Sequence, residues 1–499
     1  MLMKQYQFFQ PRKMCSIALA ALGAWFFGAC ADHYDGDETW SSPVRNTELA
    51  SPNEEDIKIE QDKANATITI SWPVVYGAGG YAYSVLNVND PEAPDTISKG
   101  ILDGCSITIN REEETNYAFY IRTSGNQELG NTEAPTTTSK LFTTFEEAYA
   151  SIPVGDIYEY FQQTPTPADS IGKELIFDLE PGGEYTMSKY VDFGSQQVTL
   201  RSTSKTNYAT ITMTGAEGGI RTSAPITLKY LKFDYAQSTQ PAISMSKEPA
   251  DSLKGLVGTQ TSYYNITGAP IFVTNCEFYN ISKNFFYDNN VSSYCIETMT
   301  LDHVKAHFNI PEQTANHAFI YAQGGFIKDL IIRNSTFYNE GEGNLQYFIR
   351  YNNSGRLDRG GYDKETETQS VTHLNNTFYN MGYSQWANYS GFSGQAYSAF
   401  NIQSNIFVDC CPTGGGIARR ILGGRTASTY KTCIFNYNTY WQKDSGSEIT
   451  AETSQSYDLG IILQTDPAFA DAANGDFTPT GAEQLANRTG DPRWLPSAE

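Results

Sequence analysis

Two short stretches concentrate the groups best suited to recognising a carboxylate. "FIRYNNSGRLDRGGYDK" (348–364) holds Arg350, Arg356 and Arg359, with Tyr351 beside the first. "GGGIARRILGGR" (414–425) holds Arg419, Arg420 and Arg425. A guanidinium fork pairs with a carboxylate through two parallel hydrogen bonds, which suits the uronic-acid units of an acidic polysaccharide. The plainer alternative is that these arginines balance local acids such as Asp358 and Asp363. Between the two stretches runs "GYSQWANYSGFSGQAYSAF" (382–400), where Tyr383, Trp386, Tyr389, Phe392 and Tyr397 stand among Gly and Ser. Exposed rings stack on sugar faces with little entropy loss. A loop packed over the side of the fold explains the same pattern. The candidate ligand contacts are therefore Arg350, Tyr351, Arg356, Arg359, Trp386, Tyr389, Arg419, Arg420 and Arg425.

Catalytic patterns are harder to find. Glycoside hydrolysis needs an acid and a base carboxylate flanking the bond. Asp302, Asp358 and Asp409 are the nearest candidates, and each stands alone in a turn-like context. Elimination beside a uronate carboxylate needs a base and a cation to stabilise the anion that forms. The arginine stretches supply cations but no clear base, so no residue is assigned a catalytic role. Net charge is −22 with no basic block, which argues against nucleic acid as a partner. Cys105, Cys276, Cys295, Cys410, Cys411 and Cys433 form no Cys-x-x-Cys pair, and His is scarce. That excludes an ordinary structural zinc site, and buried free thiols are the simplest reading. Neither metal nor cofactor is expected.

The elements that position these groups must be strands. The chain is rich in Tyr (33) and Phe (27), with polar clusters between short apolar runs. Helical periodicity rarely persists. This composition predicts an all-β chain with many turns. "ATITISWPVVYGAGGYAYSVLNV" (66–88) alternates as a strand, reaches Trp72, turns at Gly and continues as a second strand.

From residue 173 a template recurs: an apolar residue, a polar residue two positions on, and an apolar residue three further. Leu228/Tyr230/Phe233, Val273/Asn275/Phe278, Ile332/Asn334/Phe337 and Ile402/Ser404/Phe407 fit it well. Met299/Leu301/Val304, His373/Asn375/Phe378 and Tyr430/Thr432/Phe435 fit it less closely. Repeats of this period indicate a solenoid. The polar member is expected at a left-handed bend, stacked on its counterpart in the next coil, with the Phe in the core. The near-identical "NCEFYN", "NSTFYN" and "NNTFYN" then mark scaffold rather than ligand contacts.

Family resemblances follow from these motifs. Lys4, Arg12 and Lys13 precede an apolar run ending "FGAC", which resembles a bacterial lipoprotein signal. By that resemblance residues 1–29 are a signal peptide and Cys30 is lipidated. Residues 30–50 form an acidic tether like the export signals of Bacteroidetes surface lipoproteins. Residues 51–145 resemble a fibronectin type III β-sandwich, with 146–172 a connector or cap. Residues 173–480 resemble a right-handed parallel β-helix of the pectate-lyase-like type. "DPAFADAANGDFTPTG" (466–481) and "GDPRW" (490–494), the latter in a tail spanning 481–499, resemble the close of Bacteroidetes surface lipoproteins. The Arg-x-Pro-x-x-Arg and RIK motifs of β-helix lyases and hydrolases are absent.

The resemblance implies an outer-membrane, surface-exposed protein of a polysaccharide utilisation system. It would bind pectic or other uronate-containing glycan without cleaving it, with a glycan importer complex as a further partner. The alternatives are a divergent polysaccharide lyase or hydrolase, calcium being implied only for a lyase, and a non-catalytic adhesive protein.

Overall fold

The structure is a computed structural model and describes residues 44–253, 263–268, 270–290, 293–413, 416–442, 447–448 and 457–497. The signal peptide, Cys30 and most of the tether lie outside the described residues.

The chain divides into two compact units. In the N-terminal unit, Lys58–Asp62, Thr67–Ser71 and Ser106–Asn110 form a three-stranded antiparallel sheet. Asp95–Leu102, Tyr81–Asn87, Asn116–Thr123 and Thr138–Thr143 form a four-stranded sheet in that order. The alternation in Thr67–Ser71 buries Ile68 and Ile70 and leaves the residues between them half-exposed. Trp72 is buried, with its ring 5.6 Å from both Phe119 and Tyr81.

The second unit is a parallel β-helix. Its first sheet runs from Ala150–Ile152 and Glu174–Leu179, coil by coil, to Ser398–Gln403 and Thr432–Asn436. A second sheet continues each coil, through Leu231–Asp234, Glu277–Ile281, Lys305–Phe308, Thr336–Asn339, Thr377–Tyr379, Ile406–Val408 and Asn438–Gln442. A third stack comprises Ile243–Met245, Phe286–Tyr287, Thr314–Ala322, Leu345–Tyr351 and Gln385–Asn388. Glu184–Asp192 and Ala209–Thr222 are long enough to serve both the second and third stacks. Every pairing along these three stacks is parallel, so residues in register sit about 4.8 Å apart from coil to coil.

The first parallel pairing, Ala150–Ile152 on Glu174–Leu179, falls within the expected connector. The solenoid therefore begins earlier than its repeat does, and the helix Ile157–Gln163 interrupts its first coil.

The bends between first and second sheets account for the template. Tyr230, Asn275, His303, Asn334, Asn375, Ser404 and Tyr437 all have φ between 51° and 57°. That region costs most L-residues about 1–2 kcal/mol, and Asn tolerates it best. Two template positions are corrected. The bend lies at His303 rather than Leu301, and at Tyr437 rather than Thr432. Leu301 is instead buried core.

The amide stack is also displaced. Asn375 donates to Asn334 Oδ1 at 3.2 Å, but Asn334 donates to Asp302 and Asn275 to Thr274. The continuous ladder belongs to the next residue along. Asn376 Nδ2 donates to Asn405 Oδ1 at 2.9 Å, and Asn405 Nδ2 to Asn438 Oδ1 at 3.0 Å, all three fully buried. At a left-handed bend the following side chain turns inward, where an amide can satisfy backbone groups of two coils.

The Phe column stands as expected, with one gap. Phe233 stacks on Phe278 at 4.7 Å, and Phe378 on Phe407 at 5.1 Å. Ala306 occupies the position between Phe278 and Phe337. Phe285 fills the space, 5.0 Å from Phe278 and 5.8 Å from Phe337.

The C-terminal motif lies on the outer face of the second sheet. Phe477 packs 4.9 Å from Tyr338 and 5.5 Å from Tyr379. The buried Asp491 carboxylate accepts from Thr336 Oγ1 at 2.7 Å, and its N–H donates to Thr377 Oγ1. Trp494 Nε1 donates to Thr336 Oγ1 at 2.8 Å. The hairpin Phe469–Asp471/Asp476–Pro479 is thus part of this covering rather than a further coil.

Candidate functional site

Parallel register places outward residues of successive coils side by side. On the third sheet this produces the row Tyr287, Tyr321, Arg350, Asn388. A second row contains Ala318, Tyr347 and Gln385. Between the rows two consecutive residues of each strand, Phe319 and Ile320, Phe348 and Ile349, Trp386 and Ala387, turn into the core, so strict alternation is broken here.

The outward rows build a basic, ring-lined face. Tyr287 and Tyr321 lie 5.5 Å apart, and His317 meets the Tyr321 ring at 5.7 Å. The Arg350 guanidinium lies over Tyr321 at 5.2 Å and Tyr347 at 5.4 Å, and donates to the Asn316 carbonyl. Tyr321 and Tyr347 are only 3% and 6% exposed. They form a floor, while Tyr287, Arg350 and the exposed His317 face solvent. Next to this row a cleft of about 300 Å³ is lined by Ser282, Lys283, Tyr287, Glu312, Thr314 and His317 among others.

Electrostatics follow from this crowding. Partial burial, then the Arg350 and Lys283 charges, hold His317 below the usual histidine range, so it is neutral at neutral pH. Burial pushes the Tyr287 hydroxyl up to about 12, with Asp288 and Tyr321 adding to the shift. Tyr287 donates to Gln323 Oε1 at 2.9 Å. Asp288, fully buried behind it, accepts from the N–H groups of Asn290, Gln323, Gly324 and Gly325 and so holds the turn of the next coil. No side chain fits at Gly325, where a Cβ would meet the Tyr294 carbonyl oxygen at 1.8 Å.

The arginines expected from sequence separate into three places. Arg350 lies on the third sheet. Arg356 precedes the short 3-10 helix Leu357–Arg359, and Arg359 ends it, in the loop leaving that sheet. Arg356 donates to Asp358 at 2.7 Å, which is the charge-balancing alternative. Arg419 and Arg420 sit on the helix Ile417–Ile421, whose Ile417, Ala418 and Ile421 are buried, and this helix packs on Gln385–Asn388. Burial and Arg419 lower the pKa of Arg420, and Tyr347 is among its charge neighbours. Arg420 therefore approaches the Arg350 face, whereas Arg425 is exposed beyond the helix.

Three aromatic expectations are corrected. Trp386 has no exposed area, and Tyr351 and Tyr389 are 2% exposed. Trp386 stacks on Phe348 in the core, and Tyr389 donates to the Ile421 carbonyl. None of the three has a free face for a sugar. Gly and Ser around them permit tight turns, and tight turns let rings reach inward. The residues missed from sequence are Lys283, Tyr287, His317, Tyr321 and Tyr347. For His317, Tyr321 and Tyr347 the signal was polar and aromatic residues spaced among apolar ones in "ANHAFIYA" (315–322) and "LQYFIRY" (345–351), but only register joins the strands.

Three family profiles, each described as a domain of unknown function, match consecutive parts of the chain. DUF4992 matches residues 3–182, DUF4957 matches 183–340 and DUF5123 matches 371–494. No curated protein matches the chain. Among solved structures, pectate lyase Pel3 from Pectobacterium carotovorum is 11% identical, with 79% of this chain and 91% of that one covered and a TM-score of 0.18. Pectate lyase PelI from Erwinia chrysanthemi is 8% identical, with 66% and 85% covered and a TM-score of 0.17. The same enzyme in complex with tetragalacturonic acid is 10% identical, with 66% and 84% covered and a TM-score of 0.14. At such scores the parallel β-helix assignment rests on the strand registers themselves.

Proposed function

We propose that this protein is a surface-tethered, carbohydrate-binding lipoprotein of a polysaccharide utilisation system, anchored in the outer membrane through Cys30. Its ligand is a uronate-containing plant glycan, which it holds for a glycan importer complex without cleaving it. The N-terminal unit acts as a fibronectin type III-like spacer, a reading supported by its split of three and four strands. The β-helix winds right-handed, as parallel crossovers nearly always do.

The observation that carries this reading is the Arg350 guanidinium held across Tyr321 and Tyr347, beside His317 and Lys283, on the third sheet. A ring-backed guanidinium keeps its planar fork for a carboxylate. Tyr287, one coil before Tyr321 in the same row, offers a partly exposed ring for a neighbouring sugar. A second reading, a divergent polysaccharide lyase, draws on the same His317. A neutral imidazole beside a guanidinium has the elements of a base and an anion stabiliser.

The test uses the full chain in detergent with a panel of acidic polysaccharides. Affinity-gel retardation and absorbance of unsaturated uronate products are followed together. Retardation by polygalacturonate, weakened tenfold or more in Arg350→Ala and without product, is the expected result. Product that disappears in His317→Ala overturns binding in favour of the lyase. No retardation by any acidic glycan favours an adhesive protein.

A further inference from the structure

The outer face of the second sheet carries another cluster, where the C-terminal segment stops. That segment covers the coils of Thr336/Tyr338 and Thr377/Tyr379. The two preceding coils present Lys305/His307 and Glu277/Tyr279, all half-buried. Trp494 stands at the boundary as the wall of a step.

Lys305 is the centre of this step. Its Nζ lies 5.2 Å from the Trp494 ring, 5.6 Å from Tyr338 and 5.9 Å from Tyr279. Among the described residues, Nζ makes no hydrogen bond. Three donors on a half-buried ammonium are thus left to solvent or a ligand. Tyr279 donates to Glu277 at 2.5 Å, leaving further acceptor capacity on that carboxylate. His307 stacks on Tyr338 at 4.8 Å, and its Nδ1 accepts from the Asn280 N–H. Its Nε2 therefore carries the proton; it lies 3.1 Å from Glu340 without making a hydrogen bond to it. Arg493 reaches the His303 carbonyl at the rim.

Charge distinguishes this step from the third-sheet face. The positive charge of Lys305 is offset by Glu277, Glu340 and Asp476, that of Arg493 by Asp491 at 3.5 Å, and Asp234 acts on His307. An anionic ligand would meet those carboxylates, and a cation would meet Lys305. Single donors and acceptors alternate between ring faces, an arrangement that suits vicinal hydroxyl groups. The geometry points to a second saccharide site, in which Lys305 and Arg493 donate to hydroxyls of a neutral sugar, Glu277 and Glu340 accept from them, and Tyr279 and Trp494 supply ring faces. The site is independent of the acidic-glycan reading and stands or falls apart from it.

The test compares the full chain in detergent with Lys305→Met and Glu277→Gln. Affinity gels contain a galactan, an arabinan or a mixed-linkage β-glucan, with polygalacturonate run alongside. Retardation by at least one neutral glycan is expected, with apparent Kd raised tenfold or more in each variant and polygalacturonate retardation unchanged. Lys305→Met keeps the length of the stem; where it lowers the melting temperature, the isosteric Glu277→Gln decides. The proposal is overturned by a wild-type chain that no neutral glycan retards. It is equally overturned by both variants binding as wild type, which would leave Lys305 as a pin for the C-terminal segment only.

Discussion

Trp386 lies flat against Phe348, with ring centroids 4.2 Å apart and planes inclined by 22°, and its indole N–H points to His373 Nε2 from 3.4 Å. Phe378 and Phe407 approach the same indole edge-to-face, each at 4.9 Å. This box of rings is the core directly beneath the Arg350 face. Side chains here fix where the outward residues of the same strands stand.

Trp386→Ala is therefore a stability variant. Emptying a site of this size costs about 3–5 kcal/mol. A clear fall in the denaturant midpoint of the β-helix unit is expected. A loss below about 1 kcal/mol combined with abolished glycan retardation would return the ring to the ligand.

His373 adds a pH dependence. Burial holds it neutral, its pKa lowered to about 3. In the unfolded chain it titrates near about 6.5. Between these values the unfolded chain binds one more proton than the folded one. Stability is then full above about pH 6.5 and falls on acidification towards pH 3, by at most about 1.4 kcal/mol per pH unit from this group. His373→Gln is expected to flatten that part of the curve in denaturation series at several pH values. An unchanged slope would mean that His373 is protonated in the folded state.

Asn405 tests the buried ladder. Its amide N–H groups reach the carbonyl of His373, that of Gln403 and Asn438 Oδ1, and its Oδ1 accepts from Asn376. Asn405→Leu strands these partners, each at about 1–3 kcal/mol. Asn334→Gly, at the exposed-side bend, relaxes φ and is expected to cost much less. Equal melting temperatures for the two variants would refute the distinction between inner and outer Asn positions.

Asp288→Asn places an amide before N–H donors that now share a carboxylate. About 2 kcal/mol or more is expected to be lost from the turn, with faster amide exchange at Gln323, Gly324 and Gly325. Because Tyr287 donates to Gln323, polygalacturonate retardation should weaken as well. Unaltered exchange at those three amides would remove Asp288 from its positioning role.

The repeat, the left-handed bends and the Phe column were legible in the chain because their causes act within a single coil. Backbone chirality selects Asn at a bend, and one turn of solenoid buries one ring, so each repeat carries its own signal. The errors at His303 and Tyr437 arose where Ala306 and Tyr440 stand in the Phe position, so the last member of the template was missing. The site was not legible in that way. Tyr287, Tyr321 and Arg350 belong to three different coils separated by unequal insertions, and only parallel register puts them in one row. Flanking Gly and Ser suggested open rings at Trp386 and Tyr389, yet the helix Ile417–Ile421 packs on that strand and accepts the Tyr389 hydroxyl. Local propensity determined which residues turn and which are apolar enough for the core. The stacking of coils decided which side chains meet on the outside, since that depends on lengths summed over the whole chain.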